Sequence, residues 1–294
     1  HHTQNRMMEE KVMKCLKLMN GKSNNGLYPI KININDGSFA DSMITFGALG
    51  DSFYEYLLKL WLQGNRQEQW LRDMYDRAMD GAIKHLLKQS SPSRLSFLSD
   101  YNGRSNFLKM DHLVCFMPGL LALGAYTDPK GGPDIDNPTA KRDLKVAKAL
   151  MYTCYEMYHR QISGIAPEYV EFRAGQDMVV GHSAPFYILR PETAESLFIL
   201  TQLTKDPIYR DWAWEIFSSI NKHCKTDAGF GALKDVRSPG RGVDDRMESF
   251  FLAETLKYLY LAQDPNSMDY ADLMKVVFNT EAHPLKLLEG HKAV

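Results

Sequence analysis

The sequence predicts an all-α fold in which helical hairpins form an α/α toroid or barrel. About eight amphipathic segments joined by short connectors give about four such hairpins. A weak repeat over residues 51–64, 191–207 and 247–265 begins each time at or beside an acid and continues into an aromatic and aliphatic helix. These helices are apolar around much of their circumference, as inner helices packed on both sides must be. That feature favours the toroid over a solenoid, which would give the same repeat.

The predicted helices begin and end at residues with known capping preferences. Asp51 and Asp206 are candidate N-caps, and Pro191 suits the first turn of a helix. Gly124 is a candidate C-terminal stop. In chain order, helices are expected over residues 7–18, from 51 onward, 67–87, 111–123, 140–160, 191–203, from 206 onward and from 244 onward.

Brief extended segments lie between these helices, at residues 30–34, 95–98, 186–189 and 276–278. Each is too short to build a parallel sheet, so the sequence disfavours a doubly wound α/β fold and predicts only short β-hairpins in the connectors. The one low-complexity stretch, residues 128–134, reads as a surface loop. We therefore expect residues 1–294 to form a single domain.

The composition is that of an ordinary globular protein. Hydrophobic residues make up 44% of the chain and the formal net charge is -1, so nothing indicates a nucleic acid or an anionic membrane as partner. No apolar run approaches the ~20 residues that span a bilayer. Four cysteines without a CxxC pair argue against a zinc site and a disulfide scaffold, and composition alone favours buried free thiols.

Carboxylates recur near the start of the repeated helices: Asp51 and Glu55, Glu192 and Glu195, Glu248 and Glu254. Acids in a first turn can simply favour the helix dipole. The second member of each pair lies among aromatic and aliphatic residues, where an unpaired buried charge costs several kcal/mol. If inner helices start at one end of a barrel, these acids converge on one mouth. The pattern leaves both alternatives open, a shared acidic pocket and separate solvated or capping acids.

A shared acidic pocket would suit two kinds of chemistry. Paired carboxylates act as general acid and base in glycoside hydrolysis, whereas clustered oxygen ligands hold calcium. Aromatic side chains at the same mouth, such as Tyr54, Phe250 and Phe251, would offer faces on which a sugar ring could stack. Arg190 could orient a carboxylate or a sugar hydroxyl. The pattern does not specify which sugar.

Five strings in the chain resemble the class I α-mannosidases of glycoside hydrolase family 47, and they occur in that family's order. They are GDSFYEYLLKLWLQG (50–64), KMDHLVCF (109–116), LRPETAESL (189–197), MESFFLAETLKYLYL (247–261) and VFNTEAHPL (277–285). The resemblance implies an (α/α)7 barrel. It also implies a calcium-dependent, inverting glycosidase that removes terminal α-1,2-linked mannose from high-mannose N-glycans during glycoprotein processing.

The resemblance assigns the chemical roles residue by residue. Glu192 matches the proposed general base, and Asp51 matches a carboxylate assigned to acid catalysis or to positioning. An inverting enzyme holds its two carboxyls ~6.5–9.5 Å apart. Thr280 matches the calcium ligand, through its carbonyl and hydroxyl oxygens. Water and sugar hydroxyls would complete the six to eight oxygens that calcium takes.

Other positions match the lining of the family's site. Arg190 and His112 match sugar contacts, and Phe250 matches the aromatic side chain beneath the bound mannose. The family's acids that line the cavity and order the calcium waters correspond to four residues of this chain: Glu195, Glu248, Glu254 and Glu281. Cys115 and Cys154 match the family's structural disulfide, which would imply an oxidising secretory lumen. Cys15 and Cys224 keep the interpretation as buried free thiols.

Two features depart from the family pattern. About four of seven hairpins are recognisable and no string resembles the family's FEST motif, so the chain is expected to begin part-way through the catalytic domain. It would then leave a membrane anchor, if any, upstream, and it is open whether these residues alone close a barrel or turn over substrate. Leu49 matches the Golgi-type members, whereas HLVCFMPG resembles the reticulum type, so the branch preference and the compartment stay open.

Two alternatives to the hydrolase compete. A lectin-like mannosidase homologue of endoplasmic-reticulum quality control would bind glycans with little turnover. The string VFNTEAHPL favours the hydrolase, because the quality-control relatives tend to diverge there. Another α/α-toroid hydrolase acting on a different sugar is disfavoured by the five strings together.

Overall fold

The computed structural model describes residues 6–23 and 25–287, in which antiparallel helices surround a shared hydrophobic core. The all-α prediction is confirmed. Within the described ranges the α-helices are α1 (Arg6–Asn20), α2 (Asp51–Gln63), α3 (Gln69–Gly81), α4 (Met117–Tyr126), α5 (Pro138–His159), α6 (Glu192–Thr204), α7 (Ile208–His223), α8 (Lys257–Gln263) and α9 (Ser267–Ala271).

Short helical segments of other types adjoin three of these helices. A π-helical turn, Ala82–Leu86, extends α3, and a 3-10 segment, His112–Phe116, leads into α4. A second π-helical segment, Phe251–Leu256, leads into α8, and a further 3-10 turn spans Pro239–Arg241. Single π-turns within α-helices are frequently found at functional sites. The segment before α8 contains Glu254, one of the acids singled out by the repeat.

The described strands are short and pair only antiparallel. They are β1 (Leu87–Gln89), β2 (Ser96–Leu98), β3 (Asp100–Tyr101), β4 (Asn106–Phe107), β5 (Lys109–Asp111), β6 (Tyr169–Arg173), β7 (Asp177–Val180), β8 (Ala232–Leu233), β9 (Val243–Asp244), β10 (Val276–Phe278) and β11 (Pro284–Lys286). A three-stranded sheet has the order β5-β6-β7, and the others are two-stranded: β1-β2, β3-β4, β8-β9 and β10-β11. In the largest sheet Asp111 lies opposite Tyr169.

Burial separates an inner from an outer set of helices. Helix α4 is buried from Met117 to Ala125, and α6 is buried on nearly every side. Helices α5 and α7 each bury one face and expose the other. Helix α4 packs on α5 and α6, and α6 packs on α7 and α8. This alternation of inner and outer helices is the arrangement of an α/α barrel.

Several predicted boundaries are wrong, for local reasons. The helix expected from Asp244 begins at Ser249, because Val243–Asp244 pairs with β8 as strand β9. Helix α4 does not stop at Gly124 but continues to Tyr126. Gly124 instead permits close packing, since a Cβ there would lie 2.1 Å from the hydroxyl oxygen of Tyr75.

Two of the four expected extended segments are not strands. Residues 30–34 and 186–189 each contribute only an isolated bridge, Ile32 with Phe39 and Tyr187 with Leu233. The expected helix over residues 67–87 ends one residue early, because Leu87 opens strand β1. The segments at 95–98 and 276–278 form β2 and β10, as expected.

The predicted disulfide is present. Cys115 and Cys154 are bonded, with their Cα atoms 5.8 Å apart, and they join the segment before α4 to α5. Cys224 is a buried free thiol, as expected, whereas Cys15 is exposed on α1, so that part of the thiol prediction is wrong. Within the described ranges no helix combines the length and the apolar character needed to cross a bilayer.

Candidate active site

The acids of the repeated helices share one electrostatic environment. Asp51 is the first residue of α2 and Glu192 is the first residue of α6. Their carboxylates repel one another strongly enough to affect the pKa of Asp51. The charges of Glu192 and Glu195 likewise raise the pKa of Glu254 in the π-helical segment. These mutual interactions agree with the shared acidic pocket, one of the two alternatives that the sequence pattern left open.

Asp51 lies in surroundings that favour its protonated form. Burial raises the pKa of its carboxyl, and the negative charges of Glu192 and Glu55 raise it further. A hydrogen bond from the Ser52 amide to Oδ1, 2.8 Å long, and the positive charge of Arg190 oppose this rise only in part. A carboxyl with a raised pKa keeps its proton at higher pH and can serve as a general acid.

His112 orients Glu192. Its ring is fully buried, with Nδ1 2.9 Å from Oε2 of Glu192 and Nε2 2.6 Å from the hydroxyl of Tyr158. Burial raises the pKa of Tyr158 well above its usual range, so the phenol keeps its proton and can donate it to Nε2. With the Tyr158 proton directed at Nε2, the N–H of the ring lies on Nδ1 and donates to the carboxylate of Glu192. Glu192 is thus held by a chain of hydrogen bonds that begins on α5.

Arg190 is locked by an acid that the sequence pattern did not identify. Its Nε and Nη2 donate to Glu168 over 2.8 Å and 2.5 Å, a bidentate pair that fixes the guanidinium plane. Glu168 follows Pro167 ahead of β6, so a search for acids at helix starts could not find it. It reaches the site because the His112 amide donates to the Glu168 carbonyl over 2.8 Å.

A buried lysine lies beneath the acids. Lys59 forms ion pairs with Glu55, through a short contact, and with Glu195 at 3.1 Å, and its side chain is only 5% exposed. Burial alone would lower the pKa of Lys59, but the attraction of the two carboxylates outweighs it and the pKa is raised. The i, i+4 spacing of Glu55 and Lys59 on α2 is a sequence signal for this ion pair, which the pattern of acids alone does not include.

Two carboxylates in the pocket hold their protons near neutral pH. Burial raises the pKa of Glu195 to about 7, even though Lys59 lowers it. Burial and the charges of Glu192 and Glu195 raise the pKa of Glu254 to about 8. Part of each rise comes from repulsion between neighbouring acids, and a bound cation would relieve that repulsion.

The β10–β11 hairpin brings Thr280 to the acids. Phe278, at the end of β10, packs edge-on against Phe198 of α6 and Tyr258 of α8, with ring centroids 5.6 Å and 5.7 Å away. The Thr280 amide donates to the hydroxyl of Tyr56 on α2 over 3.3 Å. Inner helices on both sides thus hold the hairpin, with Thr280 and Glu281 exposed at its tip.

Some predicted site residues stand apart from this network. Glu248 forms its ion pair with Arg246, just before the helical segment that contains Glu254. Phe250 is half-buried in the first turn of that segment. Leu49 is 74% exposed beside Asp51, with a left-handed backbone at φ 74°.

The chain resembles known proteins over almost its whole length. The model of glycosyl hydrolase family 47 matches residues 1–287. The mannosyl-oligosaccharide 1,2-alpha-mannosidase MNS1 of Arabidopsis thaliana is 45% identical over 283 residues, covering 95% of this chain and 48% of that protein. The endoplasmic reticulum mannosyl-oligosaccharide 1,2-alpha-mannosidase of Homo sapiens is 42% identical over 288 residues, covering 95% of this chain and 39% of that protein.

The fold is also similar to a solved structure. An alpha-1,2-mannosidase from Trichoderma reesei superposes with a TM-score of 0.87 at 30% identity, covering 97% of this chain and 62% of that one. The chain belongs to glycosyl hydrolase family 47. It spans about half the length of the curated relatives that it matches.

Proposed function

We propose that the acidic pocket is the active site of a mannosyl-oligosaccharide 1,2-α-mannosidase, acting by inversion on terminal α-1,2-linked mannose of high-mannose N-glycans. The observation that carries the proposal is the hydrogen-bonded chain from Tyr158 through His112 to Glu192, which lies beside an Asp51 carboxyl of raised pKa. Inverting glycoside hydrolysis requires one carboxyl that donates a proton and one that accepts a proton from water, and the raised pKa of Asp51 suits it to the first part. The names of the relatives support the choice of linkage and sugar.

In this proposal the two acids divide the proton transfers. Glu192 accepts the hydrogen bond from Nδ1 of His112, which leaves its other oxygen free to take a proton from water attacking the anomeric carbon. Asp51 supplies the proton or positions the donor on the leaving-group side. Arg190, fixed by Glu168, contacts the sugar, and Phe250 offers a face beneath the mannose ring.

We also propose that calcium belongs to this site, held by the carbonyl and hydroxyl oxygens of Thr280. All the surrounding donors are oxygens, which suits a hard cation. Glu195, Glu248, Glu254 and Glu281 would order its waters. Across residues 6–23 and 25–287 no three His, Cys, Asp or Glu side chains form a direct metal-binding group. Bound calcium would offset the repulsion between carboxylates and orient sugar hydroxyls.

The cellular setting follows from the same reasoning. We propose that residues 1–294 are part of one catalytic domain working in the lumen of the endoplasmic reticulum or Golgi. The Cys115–Cys154 disulfide supports an oxidising compartment. The name of the human relative places that protein in the endoplasmic reticulum.

The proposal is tested by measuring free mannose released from a high-mannose glycan by the wild-type chain and by Glu192→Gln. Loss of the base should lower the rate at least ~100-fold, because general-base catalysis contributes at least that much. Glu171→Gln, at an acid on β6 that forms an ion pair with Arg173, is the matched control and should keep the wild-type rate. If Glu192→Gln retained full turnover, the assignment of the base would be wrong. Glycan binding without release by wild type would favour the lectin-like alternative.

A further inference from the structure

An open groove lies on the outer wall of the barrel, between the end of α5 and the exposed face of α7. We call it the α5–α7 groove, and its volume is about 600 Å³. Sites for small ligands commonly enclose ~300–1,000 Å³. The groove is lined by His159, Gln161, Ile162, Trp214, Glu215 and Lys222, with small residues along its floor. None of these residues has a part in the proposed hydrolysis.

The groove presents an aromatic face to solvent. Trp214 is 57% exposed, and its ring is backed by Phe217, with centroids 5.5 Å apart. Ile162, on the turn after α5, is 79% exposed beside it. Exposed apolar patches rimmed by polar groups mark binding grooves, and Trp is enriched among the residues that carry binding energy.

The polar side of the groove is already ordered. Glu215 accepts a hydrogen bond from Tyr155 over 2.7 Å, and its other oxygen lies 2.9 Å from Nδ1 of His159. Tyr155 is itself stacked on Trp212, with ring centroids 4.3 Å apart. These contacts hold Glu215 in one orientation, so little side-chain entropy remains to be lost when a ligand binds.

The mixture of groups indicates the chemistry of the ligand. Asp211 and Glu215 accept hydrogen bonds and repel anions, while Lys222 and the amide of Gln161 donate. A neutral ligand with many hydroxyls satisfies both kinds of group, and its apolar ring face can lie on Trp214. A sugar has this combination.

One helix connects the groove to the catalytic pocket. The last turns of α5 direct Tyr158 inward to His112 and direct Tyr155 and His159 outward to Glu215. The groove and the catalytic pocket therefore share a wall at the same end of α5. We propose that the α5–α7 groove is a second carbohydrate-binding site that holds a mannose-bearing arm of an oligosaccharide away from the reacting bond. The choice of mannose rests on the proposed function.

The test follows the indole N–H signals of the four tryptophans by NMR in ¹⁵N-labelled protein carrying Glu192→Gln, which prevents turnover. Trp214→Ala identifies the signal of that residue and, because the side chain is exposed, should melt at the wild-type temperature. α-1,2-Mannobiose should shift the Trp214 signal saturably. Glu215→Ala should weaken this binding ~10-fold or more, since it removes a charged hydrogen-bond acceptor.

Control measurements separate the possible outcomes. Tyr270→Ala removes another exposed aromatic side chain, 52% exposed and outside the groove, and should leave the Trp214 titration unchanged. A Trp214 signal that ignores mannobiose overturns the proposal, and so does an equal shift with an unglycosylated peptide, which would indicate a protein partner. A Trp214 shift without mannose release by the wild-type chain would retain the groove and remove the proposed hydrolase. Release with an unmoved Trp214 signal would do the reverse.

Discussion

Lys59 is the residue on which the acidic pocket most depends for its stability. Its ammonium group lies between Glu55 and Glu195 with a side chain that is 5% exposed, and both carboxylates are buried with it. Two buried acids without a cation would each have to take up a proton or lose their burial. The ammonium group of Lys59 therefore offsets part of the cost of burying the two acids.

We predict that Lys59→Met lowers the free energy of unfolding by about 3–5 kcal/mol at pH 8, because it leaves buried charge unpaired. The loss should be smaller at pH 5, below the pKa of about 7 of Glu195, because a protonated Glu195 carries no charge to leave unpaired. Urea denaturation at both pH values measures it, with the exposed Lys84→Met as control. A loss below about 1 kcal/mol at pH 8 would show that the ion pairs do not support the pocket.

At the residue scale the sequence identified the acids but not their partners. The repeat singled out Asp51, Glu192 and Glu254 because each recurs near a helix start. Glu168 and Tyr158 were missed because only tertiary packing brings them to the site. Glu168 comes from the segment before strand β6, and Tyr158 comes from the end of the outer helix α5. Residues of that kind carry no local signature.

Two element-level devices position the site, the disulfide beneath α4 and the hairpin at the mouth. The disulfide closes a separation of 39 residues between the start of the α4 region and α5. Such a cross-link stabilises by about 2–4 kcal/mol, mainly by restricting the unfolded chain. Helix α5 in turn supplies Tyr158, so the cross-link supports the element that holds His112.

We predict that replacing both Cys115 and Cys154 by serine lowers the free energy of unfolding by about 2–4 kcal/mol. Denaturant unfolding measures the change. Cys15→Ser, at an exposed free thiol, should change it by less than about 0.5 kcal/mol. In the wild-type protein Cys115 and Cys154 should resist alkylation until reduced, and free thiols at both positions would contradict the bond.

The position of the hairpin depends on Tyr56 of α2, whose hydroxyl oxygen accepts a hydrogen bond from the Thr280 amide. Tyr56→Phe should weaken calcium binding by about 10-fold, the lower end of the effect of removing a group that orients a metal ligand. Calorimetric calcium titration measures it. Tyr101→Phe, in strand β3, is the control. An unchanged affinity in Tyr56→Phe would mean that the hairpin positions Thr280 without help from α2.

The sequence predicted which helices exist better than it predicted where they begin and end. Apolar periodicity located every inner helix, since burial on several sides leaves a dense apolar pattern. It misplaced the start of the last inner helix, because Val243–Asp244 pairs with strand β8, and the local apolar pattern does not show that pairing. The β5-β6-β7 sheet was missed for the same reason, as β5 and β6 are separated by two helices.

The whole molecule should lose stability as pH rises when calcium is absent. Glu195 and Glu254 have pKa values of about 7 and about 8 in the fold, against an ordinary value of 4.5. Between these limits the folded protein binds more protons than the unfolded chain, so the free energy of unfolding falls with rising pH. The contribution is complete below about pH 4.5 and is lost above about pH 8.

We predict a falling thermal midpoint from pH 5 to pH 8 in the presence of a chelator, and a calcium-induced rise that is larger at pH 8 than at pH 5. Glu254→Gln should flatten the fall, because the amide cannot titrate. Differential scanning calorimetry measures all three effects. A midpoint that climbs with pH across this window would show that the acids are not held protonated by burial.

The central claim is that Glu192 and Asp51 act on opposite faces of an α-linked mannose. Proton NMR of α-1,2-mannobiose digested by the chain with calcium present tests it most directly, because the anomer released first reports the side from which water attacks. Inversion should release β-mannose first, which then equilibrates with the α-anomer. Release of α-mannose first, or no mannose at all, would contradict it.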